Sequence, residues 1–152
     1  MKESQWNFVL PVRVYYEDTD AAGMVYYANY LKFMERARTE WLRVRGFQQS
    51  LVVQEHGVAF VARSAEVDYL KPARLDDMLE VVSSVDSLGR AQIVFAQNIL
   101  RAGETLVTAK MRIACVDPSR GKPCAMPPAI HAIFKSLLQP EFKQIPESGN
   151  RT

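Results

Sequence analysis

Hydrophobic and polar positions along the chain follow two different periods. Residues 8–16, FVLPVRVYY, are rich in β-formers and alternate toward their end, which predicts a strand. Pro11 has no N–H to give a ladder, so that strand is expected at an edge, or Pro11 near its start. From about residue 29 to 45 the apolar positions recur at helical spacing, with Tyr30, Met34, Ala37, Trp41 and Val44 on one stripe. The other faces carry Lys32, Glu35, Arg36, Arg38, Glu40 and Arg43, and the spacing of Arg36/Glu40 and Glu35/Arg38 suits ion pairs. Arg43 and Arg45 fall where cations suit the helix dipole, and Gly46 follows as a natural terminator. Such a helix would be roughly 25 Å long, enough to cross a sheet.

After a connector with His56 and Gly57, four β-rich segments follow at about 58–70, 78–88, 91–101 and 104–117. The clearest alternation sets Val107, Ala109, Met111, Ile113 and Cys115 against Thr108, Lys110 and Arg112. Short turns at Leu88-Gly89-Arg90 and Ala102-Gly103-Glu104 predict an antiparallel meander of the last three strands. Pro127-Pro128 then opens a short helix with Ile130, Ile133, Phe134 and Leu137 on its apolar side. The element order gives an α+β fold with one long helix on a curved antiparallel sheet. We expect a single domain over residues 1–139 and a flexible C-terminal tail over 140–152.

Composition narrows the classes. With 48% hydrophobic and 24% charged residues the chain has an ordinary globular balance. No apolar run is long enough for a membrane span, and MKESQWNFVLPVR lacks the apolar stretch of a secretory signal, so a cytoplasmic location is expected. A formal charge of +2, without a basic stripe, argues against nucleic-acid binding and suits a small anionic ligand. The two cysteines, Cys115 and Cys124, are too few for a disulfide scaffold, and Cys115 reads as a core thiol. His56 and His131 stand in no metal-ligand spacing and read as bystanders; no metal is expected.

The candidate chemistry lies between the first strand and the long helix. Glu17-Asp18-Thr19-Asp20-Ala21-Ala22-Gly23 concentrates three carboxylates and a glycine in a tight loop. The loop leads into a helix start, whose unpaired N–H groups and partial positive charge suit an oxyanion developing on an acyl carbonyl. A neighbouring carboxylate supplies a nucleophile or a general base. That is a minimal apparatus for cleaving a thioester without a Ser-His-Asp triad. From the residues alone, acids before a helix are more commonly caps.

The run Val12-Arg13-Val14-Tyr15-Tyr16-Glu17-Asp18-Thr19-Asp20-Ala21-Ala22-Gly23-Met24-Val25-Tyr26-Tyr27-Ala28-Asn29-Tyr30, continuing through Glu35-Arg36-Ala37-Arg38-Thr39-Glu40, resembles the signature of the 4-hydroxybenzoyl-CoA thioesterase-like family. Within that family it resembles the YbgC type, acyl-CoA thioesterases associated with the bacterial Tol-Pal system. Further similarity lies in Val58-Ala59-Phe60-Val61-Ala62-Arg63, in Pro72-Ala73-Arg74-Leu75-Asp76-Asp77-Met78-Leu79-Glu80 and in Cys115-Val116-Asp117-Pro118, so most of residues 10–137 is covered. The resemblance implies a hotdog fold, an antiparallel sheet wrapped around the long helix, and a homodimer or homotetramer with sites at the subunit interface. It implies Asp20 as the catalytic carboxylate, Asp18 as a residue of loop geometry, and the Tyr27 N–H as the group holding the thioester carbonyl. Tyr27 departs from the histidine often found there in the YbgC type, so no imidazole acid or base is implied, and aromatic acyl groups become conceivable substrates.

The expected reaction is hydrolysis of a small to medium acyl-CoA to free acid and CoA, with no cofactor, since coenzyme A is part of the substrate. Gly23, Val25 and Ala28 are expected along the substrate beside Asp20 and Tyr27, and Arg90 is the first choice over Arg63, Lys110 and Arg112 for the CoA phosphates. Glu35 is expected to pair with Arg38, and Met34 and Trp41 to be core. Acyl carrier protein is a possible partner in place of CoA. The alternative reading is a non-catalytic acyl-CoA or acyl-carrier-protein binding module; a hotdog dehydratase would need a histidine that the loop lacks.

Overall fold

The computed structural model describes residues 1–4 and 6–140; the tail expected from 140 onward lies outside the described residues from 141. The strands are β1 (Lys2–Glu3), β2 (Phe8–Arg13), β3 (Ala59–Tyr69), β4 (Met78–Leu88), β5 (Gln92–Arg101), β6 (Glu104–Asp117) and β7 (Lys122–Pro123). The helices are α1 (Tyr27–Val44), α2 (Gln49–His56) and α3 (Pro128–Leu137). All pairings between these strands are antiparallel, in the order β1-β2-β4-β5-β6-β3, with β7 on the end of β6. The predicted α+β arrangement of one curved antiparallel sheet around a long helix is the fold observed.

The predicted meander is β4-β5-β6. Ala102 and Gly103 both take positive φ, 50° and 82°, between paired Arg101 and Glu104, the backbone of a tight hairpin turn matched to strand twist. Pro11 lies in β2 beyond the two residues that β1 covers, Phe8 and Val9, so its missing N–H falls on the uncovered edge. Residues 14–16, read as the end of that strand, leave the sheet instead, and a single 3-10 turn forms at Tyr16–Asp18.

Helix α1 begins two residues earlier than its periodicity suggested. Tyr30, Phe33, Met34, Ala37 and Trp41 are almost fully buried against the sheet. Trp41 stacks parallel to Phe8, ring centres 6.1 Å apart, and meets Phe95 edge-on, while its Nε1–H donates to Glu3 Oε2 at 3.0 Å. The helix ends as expected at Gly46, φ 82°: Phe47 N–H donates to Leu42 O and Gly46 N–H to Arg43 O, closing the last carbonyls with a left-handed glycine.

Three expectations for α1 are corrected. Val44 is 48% exposed, beyond Leu42, the last buried residue of the helix. Glu40 pairs with Arg43 at 2.6 Å and not with Arg36. Arg38 makes no ion pair with Glu35; it turns inward, is 7% exposed, and donates from Nη1 to Gln97 Oε1 at 2.9 Å. Helix α2 occupies what read as a connector.

Candidate functional site

The loop expected to carry chemistry is built by its own carboxylates. Asp18 is buried; its Oδ2 accepts the Tyr15 N–H at 2.8 Å and its Oδ1 accepts Asn29 Nδ2 at 2.9 Å. That pins the 3-10 turn to the first turn of α1. Asp20 Oδ1 accepts the N–H groups of Ala22 and Met24, at 2.9 and 3.1 Å, and the backbone closes with Asp20 N–H to Met24 O at 2.8 Å. Gly23 turns the chain at φ 77°, and its carbonyl accepts the Leu75 N–H at 3.0 Å. A second latch runs from Val25 N–H to Ala73 O. The returning arm of this tight hairpin, Gly23 to Val25, is thus anchored to the segment entering β4.

One oxygen of Asp20 is held by the loop; among the described residues Oδ2 has no hydrogen-bond partner. The half-buried carboxylate lines a cleft of about 270 Å³ together with Met24, Val25, Tyr26, Tyr27, Tyr30 and Pro72. The start of α1 opens onto the same cleft. Tyr26 precedes the helix in an extended conformation and gives it no side-chain cap, and the Tyr27 and Ala28 N–H groups meet no acceptor among the described residues. Free donors and a free carboxylate oxygen therefore share one cleft.

Aromatic rings continue it. Tyr69, from β3, stands over Tyr27 with ring centres 4.6 Å apart and over Tyr30 at 5.6 Å. An adjoining hollow of about 190 Å³ shares Met24, Tyr27, Tyr30 and Pro72 and adds Tyr69, Leu70 and Lys71. Burial raises the Tyr30 phenol above its ordinary range, and its oxygen accepts the Ala73 N–H at 2.9 Å. Tyr30 therefore acts as a strut between α1 and the loop before β4. Desolvation also raises the Tyr69 phenol.

Of the residues singled out from sequence, Asp20, Val25 and Tyr27 line the cleft, while Gly23 and Ala28 flank it in the loop and first helical turn. Arg90 is elsewhere. The Asp20 loop lies by the start of β4, where Val14 bonds to Asp76 and Asp77, whereas Arg90 follows the other end of that 11-residue strand, roughly 30 Å away. Met24, Tyr26, Tyr30, Tyr69 and Pro72 were missed as cleft residues. The one available signal was tyrosine density: five of the six tyrosines fall within residues 15–30. Among the described residues no three His, Cys, Asp or Glu side chains gather so as to hold a metal ion, and no helix is long and apolar enough to cross a membrane.

A sheet curled around one helix, with an acidic loop turning into that helix's uncapped start, defines a hotdog protein of the thioesterase class. The chain belongs to the thioesterase-like superfamily, whose family pattern matches residues 14–134. It is 51% identical over 129 residues to the acyl-CoA thioester hydrolase YbgC of Escherichia coli O6:H1, covering 84% of this chain and 96% of that protein. It is 46% identical over 131 residues to the acyl-CoA thioesterase YbgC of Haemophilus influenzae, covering 86% and 96%. In three dimensions it superposes on Slr0204, a 1,4-dihydroxy-2-naphthoyl-CoA thioesterase from Synechocystis, with a TM-score of 0.79 over 88% of this chain and 99% of that one. At 23% identity that likeness bears on the fold alone.

Proposed function

We propose that the chain hydrolyses acyl-CoA thioesters to the free acid and CoA, with Asp20 as the catalytic carboxylate. The observation that carries this reading is the shared cleft: Asp20 Oδ2 is free of the loop, and the Tyr27 N–H at the α1 start is free of any cap. Identity to two YbgC thioesterases supports the substrate class. A carbonyl oxygen accepting the Tyr27 N–H becomes more strongly bound as negative charge develops on it, which is the differential stabilisation catalysis requires. Asp20 then either attacks the carbonyl carbon, releasing the CoA thiolate and forming a mixed anhydride that water cleaves to the free acid and the regenerated carboxylate, or takes a proton from the water that attacks the carbonyl and expels the thiolate. Thioesters suit it because a weakly nucleophilic carboxylate needs a good leaving group. The chemistry needs no cofactor.

Val25 and Tyr27 bound the acyl group in this reading, with Gly23 and Ala28 shaping the entrance. Arg90 is out of reach of a thioester at Asp20 in its own chain, so its role as a phosphate contact requires the site of a second copy. Among the described residues the outer edge of β3 is unpaired along its 11 residues, which supports joining of sheets edge to edge in a homodimer or larger homo-oligomer with sites at the boundary. Residues 1–139 act as one domain, in the cytoplasm, with the Tol-Pal system as setting; an acyl-carrier-protein thioester is a second carrier to try.

Thiol release from acetyl-, medium-chain, long-chain and benzoyl-CoA tests the activity and reads out the acyl preference. Asp20→Asn is expected to fold and to lose nearly all turnover. Wild-type turnover in that variant would overturn the role of Asp20, and binding of every thioester without release would make the chain a binding module.

A further inference from the structure

The two halves of the cleft at Asp20 meet in one residue. Ala73, fully buried, accepts the Val25 N–H through its carbonyl at 3.0 Å and gives its own N–H to the Tyr30 phenol oxygen at 2.9 Å. Val25 ends the arm of the loop that holds Asp20, since Met24 beside it binds Asp20 twice, N–H to Oδ1 and carbonyl to the Asp20 N–H. Tyr30 stands on the first turn of α1, whose open start carries the Tyr27 N–H. The separation of the Asp20 carboxylate from that N–H is therefore set by where Ala73 sits.

Ala73 lies between β3 and β4, and its neighbours fix its place. After it, residues Arg74 to Asp77 form a turn closed by Asp77 N–H to Arg74 O at 3.1 Å, with Asp76 at φ 72°, where glycine is the ordinary choice. That conformation is strained in an aspartate and persists only because its surroundings hold it. The Asp76 N–H donates to Val14 O at 3.0 Å, and its carbonyl accepts Arg13 Nη1 at 2.7 Å. The Asp77 carboxylate secures the same turn, its Oδ2 accepting the Arg74 N–H and Arg101 Nη1, both at 2.8 Å. Before Ala73, the same Nη1 reaches Pro72 O at 3.3 Å. Arg101, the last residue of β5, thus brackets Ala73 through Pro72 on one side and Asp77 on the other. Glu104, the other carboxylate beside Arg101, lies farther off at 3.5 Å and is engaged by Lys71. Neither Asp77 nor Arg101 lines the cleft.

We propose that Asp77 and Arg101 are positioning residues for the reaction at Asp20, one charged brace that fixes the distance between the Asp20 carboxylate and the Tyr27 N–H. This rests on the reading of Asp20 as the catalytic carboxylate and adds that the brace acts without touching substrate. A misplacement of about 1 Å at a reacting group lowers the rate by up to about a hundredfold. The contacts that hold the rest of a CoA thioester stay in place, so the loss falls on the chemical step.

Thiol release from acetyl- and benzoyl-CoA is measured on the full chain for Asp77→Asn, Arg101→Gln and the double variant, with melting curves alongside. Asp77→Asn keeps an oxygen for the Arg74 N–H and removes the charge that Arg101 answers. Each single variant is expected to fold and to lose about ten- to a hundredfold in kcat, by the same factor on both thioesters, with KM within about twofold of the wild type. The double variant is expected to be no slower than the slower single one, because both changes break the same brace. The Ala22 and Met24 amide resonances report the Asp20 carboxylate without substrate, and are expected to move in both single variants. Arg101→Gln, at a side chain 30% exposed, carries the test if Asp77→Asn does not fold. Unchanged kcat, a rise in KM alone, factors that differ between the two acyl groups, losses that multiply in the double variant, or unmoved amide resonances each overturn the brace. Asp20→Asn is assayed beside the others: wild-type turnover there overturns the reading of Asp20 itself, so the two failures are told apart.

Discussion

The carboxylate of Asp18 and the amide of Asn29 meet at 2.9 Å in the interior and hold the acidic loop against the first turn of α1. Asp18 Oδ2 simultaneously takes the Tyr15 N–H, so one side chain satisfies donors on both sides of the loop. In Asp18→Ala those donors lose their acceptor, at an expected cost of about 2–3 kcal/mol. Asp18→Asn keeps the shape and an acceptor oxygen and is expected to cost less. Urea midpoints measure the difference; equal midpoints for the two variants would show that the pin contributes little.

Loop order and chemistry are separable at Asp20. Its Oδ1 holds the Ala22 and Met24 N–H groups, a task an asparagine oxygen can also do, so Asp20→Asn is expected to melt near the wild type. Asp20→Ala abandons both bonds and is expected to lose about 1 kcal/mol on top of turnover. Gly23→Ala tests the same loop differently. A Cβ there would meet nothing within 4 Å, so the expected loss of about 1–2 kcal/mol comes from the positive φ alone. Thermal melting of the three variants checks the order.

The fold was legible because its long elements carry clean periods. Tyr30, Met34, Ala37 and Trp41 announce α1, and the alternation from Val107 to Cys115 announces β6. Helix α2 carries no such stripe: Val52 is buried while its neighbours Leu51 and Val53 are exposed. The loop carboxylates and helix start were readable because they are adjacent in sequence. Tyr69 and Pro72 reach the cleft only through the pairing of β3 with β6 and the latches near Ala73, which no local spacing encodes. Arg90 shows the converse. A cation in a turn looks available to phosphate, but only the direction of β4 shows which end of the sheet it occupies.

Arg38 was misread for the same reason, since its partner Gln97 is 59 residues away. Gln97 is fully buried and joins Arg38, Met34 O and Ser83 Oγ. Gln97→Leu fits the space but leaves the guanidinium without its acceptor, and is expected to cost about 2–3 kcal/mol. Ser83→Ala removes only a neutral bond and should cost about 1 kcal/mol. A larger loss in Ser83→Ala than in Gln97→Leu, read from urea midpoints, would mean that the charged bond does not dominate this network.

Cys115 and Cys124 hold their sulfurs 3.8 Å apart, both as free thiols, with Cys115 fully buried. Burial first, and then the hydrogen bond and proximity of Cys124, push the Cys115 thiol from its ordinary 9.0 up to about 12. Below pH 9 the thiol is protonated in the folded and unfolded chains alike, so it contributes no slope there. Between pH 9 and 12 the unfolded chain releases the proton that the folded chain keeps, and stability falls as pH rises. Tyr30, also raised by burial, adds a slope of the same sign, so the contribution of Cys115 is the part of the decline that Cys115→Ala removes. Because the thiolate is the nucleophile, iodoacetamide at pH 8 is expected to label the half-buried Cys124 in the native protein and to spare Cys115 until denaturant is added. Native labelling of Cys115 as fast as Cys124, mapped by peptide mass, would show that the strand end carrying β7 opens readily and that its burial does not protect the thiol.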